Sequence, residues 1–144
     1  MPVQQVFEHM FPSGVGFWLI MLNVRVNTLA TRLPFSPQEW EEDGLGMARG
    51  CFLKLSSGRV ILLEELQHSI EHFGAKGPIV MVDVGEAAAL GFKALLAEVV
   101  ADLSLSADEI SIHSDDAASW GAEAKELAAQ TAAWRKKRAE REKQ

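Results

Sequence analysis

"GCFLKLSSGRVILLEELQHSIEHFGAKGPIVMVDVG", residues 50–85, is the stretch that decides the fold. Apolar runs at 50–55 and 59–63 flank the turn "SSG", the pattern of a β-hairpin. The second run passes directly into a segment of helical spacing, 64–73, closed by Gly74. "PIVMVDVG", residues 78–85, then supplies a strand rich in β-branched side chains. Downstream, "EAAALGFKALLAEVVADL" predicts a helix over 86–103, "EISIH" a strand over 109–113, and residues 114–143 a long terminal helix. Strands alternating with helices in this way predict parallel pairing through right-handed crossovers.

Upstream, "FWLIMLNVRV" predicts a strand over 17–26 followed by a long loop, and "QQVFEH" a short helix over 4–9. "FSPQEW", residues 35–40, carries helix-start signals. Ser36 can cap, Pro37 fits the first helical position, Glu39 completes a capping box, and Phe35 and Trp40 stand at staple positions. Gly44 and Gly46 keep that helix short. The predicted fold is one small α/β domain over 1–134. Its mixed sheet has about five strands, an antiparallel hairpin joined to a parallel β-α-β-α-β unit. A long C-terminal helix ends in a charged tail, 135–144.

Composition sets limits on function. The 144 residues suffice for one hydrophobic core. Cys51 is the one cysteine, so an intrachain disulfide and a cysteine zinc cluster are excluded, which agrees with a reducing compartment. The longest apolar run, "VGFWLIML" at 15–22, is far short of the ~20 residues that span a bilayer. "MPVQQVFEHMFP" lacks the pattern of a secretory signal, and a cytoplasmic protein is expected. The net charge is −6. The tail holds six basic and two acidic side chains, so it carries +4 and residues 1–134 carry −10. An acidic body repels nucleic acid and steers basic partners toward itself, and only the tail suits nucleic acid. No dinucleotide fingerprint or phosphate loop is present, so no cofactor is expected.

Four groups of residues invite a functional assignment. "HSIEH", residues 68–72, has the H-x-x-E-H spelling of inverzincin zinc ligands, His68 and His72. On a helical wheel Leu62, Leu66, Ile70 and Phe73 form the buried stripe. The two histidines then face outward with Glu64, Glu65 and Glu71, and no downstream third ligand suggests itself. Second, Asp83 and His113 stand near the ends of predicted parallel strands, with Asp115 close behind. Were those strands neighbours, the three could converge for metal-dependent or acid–base catalysis. Ser114, Asp115 and Asp116 equally suit the start of a helix. Third, Trp40, Glu41, Glu42 and Asp43 form an aromatic and acidic group. Fourth, the terminal helix bears a seam of Trp120, Ala124, Leu127, Thr131 and Trp134, with Trp134 and Arg135 placed to anchor a partner. Cys51 fits a buried strand, and Ser56 and Ser57 fit a turn.

These features favour a small acidic protein that binds another protein. Its most concrete form is a bacterial immunity or inhibitor protein against a basic toxin or enzyme. The alternatives are a small enzyme using Asp83 and His113, and an adaptor or homo-oligomer assembled through the terminal helix. With the histidines facing outward and no third ligand, equimolar zinc is expected to leave the melting temperature unchanged. A rise of several degrees, abolished by His68→Ala, would identify a metal site instead.

Overall fold

The hairpin lies within a seven-stranded antiparallel sheet in the computed structural model, which describes residues 3–7, 11–111 and 117–143. The strands are β1 (Gln4–Val6), β2 (Gly16–Leu22), β3 (Gln38–Glu42), β4 (Gly46–Lys54), β5 (Val60–Leu66), β6 (Ile79–Asp83) and β7 (Ile110–Ser111). The helices are α1 (Val26–Arg32), α2 (Gln67–His72), α3 (Val84–Leu90), α4 (Phe92–Asp102) and α5 (Ala117–Glu142). The sheet order is β1-β4-β5-β6-β2-β7, and β3 pairs with the part of β4 that β1 leaves free.

The predicted parallel β-α-β-α-β unit is corrected by this pairing. The six-residue α2 is only about 9 Å long, too short to carry the chain back along the roughly 23 Å of the seven-residue β5. It acts as a turn, and β6 returns antiparallel to β5. The longer α3–α4 connection does make a crossover. The strand it reaches, β7, runs in the same direction as β6, but β2 lies between them and is antiparallel to both.

Five local expectations also change. The helix predicted from "FSPQEW" is the strand β3. Two glycines leave too few residues to repay helix nucleation, whereas the free edge of β4 offers a ladder. Gly44 and Gly46, with φ of 76° and 82°, form the connecting turn. Residues 4–6 are strand β1 rather than helix, and the Gln5 amide exchanges two 2.8 Å hydrogen bonds with the Ser36 backbone. The strand predicted over 17–26 ends at Leu22, and α1 replaces the expected loop. β5 extends to Leu66, so Glu64 and Glu65 lie on a strand and not on the helix of the wheel. Gly91, at φ 84°, breaks the predicted 86–103 helix into α3 and α4.

Strand alternation gives the sheet two unlike faces. Cys51, Leu53, Ile61, Leu63, Val80 and Val82 point to one face and are buried. Leu29 of α1, Leu95 and Val99 of α4, and Ala124 of α5 close over them. Trp120 is the keystone of that layer. Its ring meets Phe17 and Phe92 edge-on, at 5.0 and 5.3 Å, and its Nε1 donates to the Trp18 carbonyl at 2.6 Å. The hairpin turn is bound to α4: Ser56 donates to Asp102, and Ser57 and Arg59 to Glu98. The two serines are thus turn residues, as expected. Burial of Cys51 pushes its thiol up to about 12.

Two ion pairs hold α1. Arg32 donates to both carboxylate oxygens of Glu109, at 3.0 and 2.6 Å, which keeps that carboxyl down at about 2. The contribution of this pair is complete above the ordinary value of 4.5 and fades as pH falls through about 2. Glu65 is 4% exposed and accepts from Arg25 Nε, Arg25 Nη2 and the Val26 N–H, at 3.0, 3.1 and 3.0 Å. Glu65→Ala leaves the buried Val26 N–H without an acceptor. It is expected to cost ~2–4 kcal/mol in urea unfolding. Glu39→Ala, which breaks the exposed pair with Arg49, is expected to cost ~0–1 kcal/mol.

Candidate functional site

The second face of the sheet carries the site. Strand alternation sends Trp40, Phe52, Leu62, Glu64, Met81 and Trp18 to this side. They are partly exposed, and Trp18 is 39% exposed, in contrast to the sealed side. Phe11 covers part of the face, its ring 5.3 Å from Phe52 in an edge contact.

Beside that contact lies a cavity of about 310 Å³, lined among others by Phe7, Gln38, Trp40, Glu42, Phe52 and Glu64. Its construction follows from the pairing. Gln38, Gly50 and Glu64 stand in one row across β3, β4 and β5. Gly50 contributes no side chain, and the Leu63 backbone packs against it. No other residue fits there, because a Cβ would stand 1.7 Å from the Leu63 carbonyl oxygen. Trp40 and Glu42 form one wall, where the indole Nε1 donates to Glu42 Oε2 at 2.7 Å. Glu64 faces them from β5 and makes no hydrogen bond or ion pair among the described residues. Burial raises its carboxyl above the usual range, and the neighbouring charge of Glu42 raises it further.

Two of the four residues of the predicted acidic group, Trp40 and Glu42, therefore meet in one pocket. Glu41 points to the opposite side of β3, and Asp43 lies in the turn. The compact helical patch expected for these residues does not form. Glu64 and Phe52 were missed. The signal for Glu64 was present in "VILLEEL", whose two-residue period separates Glu64 from Glu65. A helical wheel merges them.

The other predicted residues are dispersed. Asp83 is 3% exposed, and its carboxylate serves the framework. Oδ1 accepts from Ser13 N and Ser13 Oγ at 2.8 and 2.5 Å, and Oδ2 accepts from Glu86 N at the start of α3 at 3.1 Å. His113 and Asp115 lie outside the described residues. The adjacency that would unite them with Asp83 is not met, since β2 separates β6 from β7. His68 and His72 are exposed on α2 with ring centroids 4.7 Å apart. The buried stripe expected beside them does not form, since no residue of α2 is buried and Phe73 is 74% exposed. Among the described residues, no group of three or more His, Cys, Asp or Glu side chains is arranged to hold a metal.

Along α5, Trp120 and Ala124 are buried, Leu127 and Thr131 half-buried, and Trp134 58% exposed. The seam thus leaves the core toward its end. Arg138 stands 5.5 Å from the Trp134 ring, and Arg135 Nη1 donates to the Pro12 carbonyl at 3.2 Å. A shallow groove of about 680 Å³ runs between this part of α5 and Ser13–Val15. No helix among the described residues is long and apolar enough to cross a membrane.

The chain matches no known protein family, no characterised protein and no solved structure.

The unpaired Glu64 carboxylate gives this site a measurable signature. Its folded pKa lies above the unfolded one, so its charge opposes folding at neutral pH. Glu64→Gln is expected to raise the melting temperature at pH 7 by a few degrees. The gain shrinks as pH falls through the raised value toward the ordinary 4.5. A lowered melting temperature at pH 7 would contradict this account of the carboxylate.

Proposed function

We propose that this protein works by binding another protein, as an immunity- or inhibitor-type module for a basic toxin or enzyme. One observation carries the proposal: carboxylates and aromatic side chains share a cavity on the less covered sheet face, and one carboxylate has no partner among the described residues. Aromatic anchors beside partly desolvated charges are what interface hot spots are made of. The charge of −10 over residues 1–134 favours attraction of a basic surface and fast encounter.

A second reading, an adaptor that assembles through α5, is favoured by the exposed Trp134 beside Arg138. The two readings separate in one series of measurements. The full-length protein is used to capture its partner from the cells that make it, and the affinity is then measured with purified components. The inhibitor reading expects a basic partner, a dissociation constant that rises steeply with salt, and weaker binding by Glu42→Gln. It fails if binding is insensitive to both salt and Glu42→Gln. Self-association abolished by Trp134→Ala supports the adaptor.

A further inference from the structure

We infer that the cavity bounded by Trp40, Glu42, Phe52 and Glu64 is a receptor for one guanidinium group, the tip of an arginine side chain presented by the partner. This deepens the proposed function and rests on it for the source of the arginine.

The chemistry of the walls selects the ligand. Three aromatic side chains, Phe7, Trp40 and Phe52, line the cavity together with two carboxylates and an amide. Aromatic faces attract cations, and carboxylates pair with them. An anion would meet two negative charges, and a neutral apolar group would leave Glu64 buried without compensation. A cation relieves both the burial of Glu64 and its repulsion by Glu42.

Among cations, the planar guanidinium fits better than an ammonium. It can stack on an indole while its edge donates two parallel hydrogen bonds to one carboxylate. Glu42 already accepts from the Trp40 indole, so Glu64 is the carboxylate available for that bidentate pair. Gln38 of β3, which also lines the cavity, offers a carbonyl oxygen as a further acceptor. The volume of about 310 Å³ accommodates the group together with part of its alkyl stem.

The test uses the full chain and small probes, so it does not depend on knowing the partner. Ethylguanidinium, ethylammonium and the neutral isostere ethylurea are titrated separately at constant ionic strength. Binding is followed by NMR at the Trp40 indole N–H and the backbone amides of β3, β4 and β5. Ethylguanidinium is expected to give saturable shifts confined to the cavity residues, with millimolar affinity. Ethylammonium is expected to bind more weakly and ethylurea not to saturate. Glu64→Gln, which preserves the fold, is expected to weaken ethylguanidinium about tenfold, the equivalent of ~1.4 kcal/mol. Equal shifts with ethylurea, shifts located elsewhere, or no loss in Glu64→Gln overturn the inference. So does tighter binding of ethylammonium.

The same variant separates this inference from the proposed function. If Glu64→Gln loses ethylguanidinium but binds the partner as tightly as the unaltered protein, the cavity does not take the partner's arginine and the inference is overturned, while the proposed function is still decided by salt and Glu42→Gln. If partner affinity depends on salt and Glu42 while ethylguanidinium does not bind, the docking reading stands and the receptor fails.

Discussion

Asp83 uses both oxygens of one buried carboxylate to hold two segments that arrive from opposite directions. The Ser13 amide and hydroxyl approach on one side and the first turn of α3 on the other. The Val84 N–H completes the junction by donating to the Val15 carbonyl at 3.0 Å. The entry of β2, the exit of β6 and the start of the helical layer are thereby fixed at one point. A buried carboxylate is costly unless its lone pairs are filled, and here three donors fill them. The feature that drew attention to Asp83 in the sequence, an acid at the end of an apolar strand, is real. Its role is to join the two layers of the domain.

With that junction set, antiparallel pairing decides where chemistry can occur. Every strand presents one row to the helices and one row to the other side. The covered row is aliphatic and sealed, with Leu53, Leu63 and Val80 fully buried. The opposite row holds Trp40, Phe52 and Glu64. Gly50, in the same row, is closed to any side chain by the Leu63 carbonyl. Charge is divided in the same way. Glu65 faces the core and is satisfied by Arg25 and Val26, whereas its neighbour Glu64 faces outward and its carboxylate has no partner among the described residues.

Much of the architecture was legible in residues 50–85 because strong apolar periodicity overrides weaker signals. The hairpin, β6 and the long α5 follow from it directly. The direction of the strands did not follow, because a short connector and a crossover leave similar traces in a sequence. Only the six-residue length of α2 distinguishes them. The capping signals around Ser36 were sound as local chemistry but lost to the free edge of β4, a partner close in the fold and invisible to a local pattern. The cavity was half legible. Trp40 and Glu42 stood out as an aromatic and acidic pair. Glu64 was hidden because two adjacent glutamates look alike until the residue period is known. The pocket also needs the Gly44–Gly46 turn to set the pairing of β3 with β4, and pairing is a property of two strands together.

Cys51 has a practical consequence. The single thiol of the chain sits in the middle of β4, beside the edge strands β1 and β3, 1% exposed, with its ionisation pushed up to about 12. A thiolate is the reactive form, so in the native state the group is shielded from alkylating and oxidising reagents by both access and acidity. Its modification rate therefore counts openings of the sheet around β4. The molecule thus contains an internal gauge of its own rigidity.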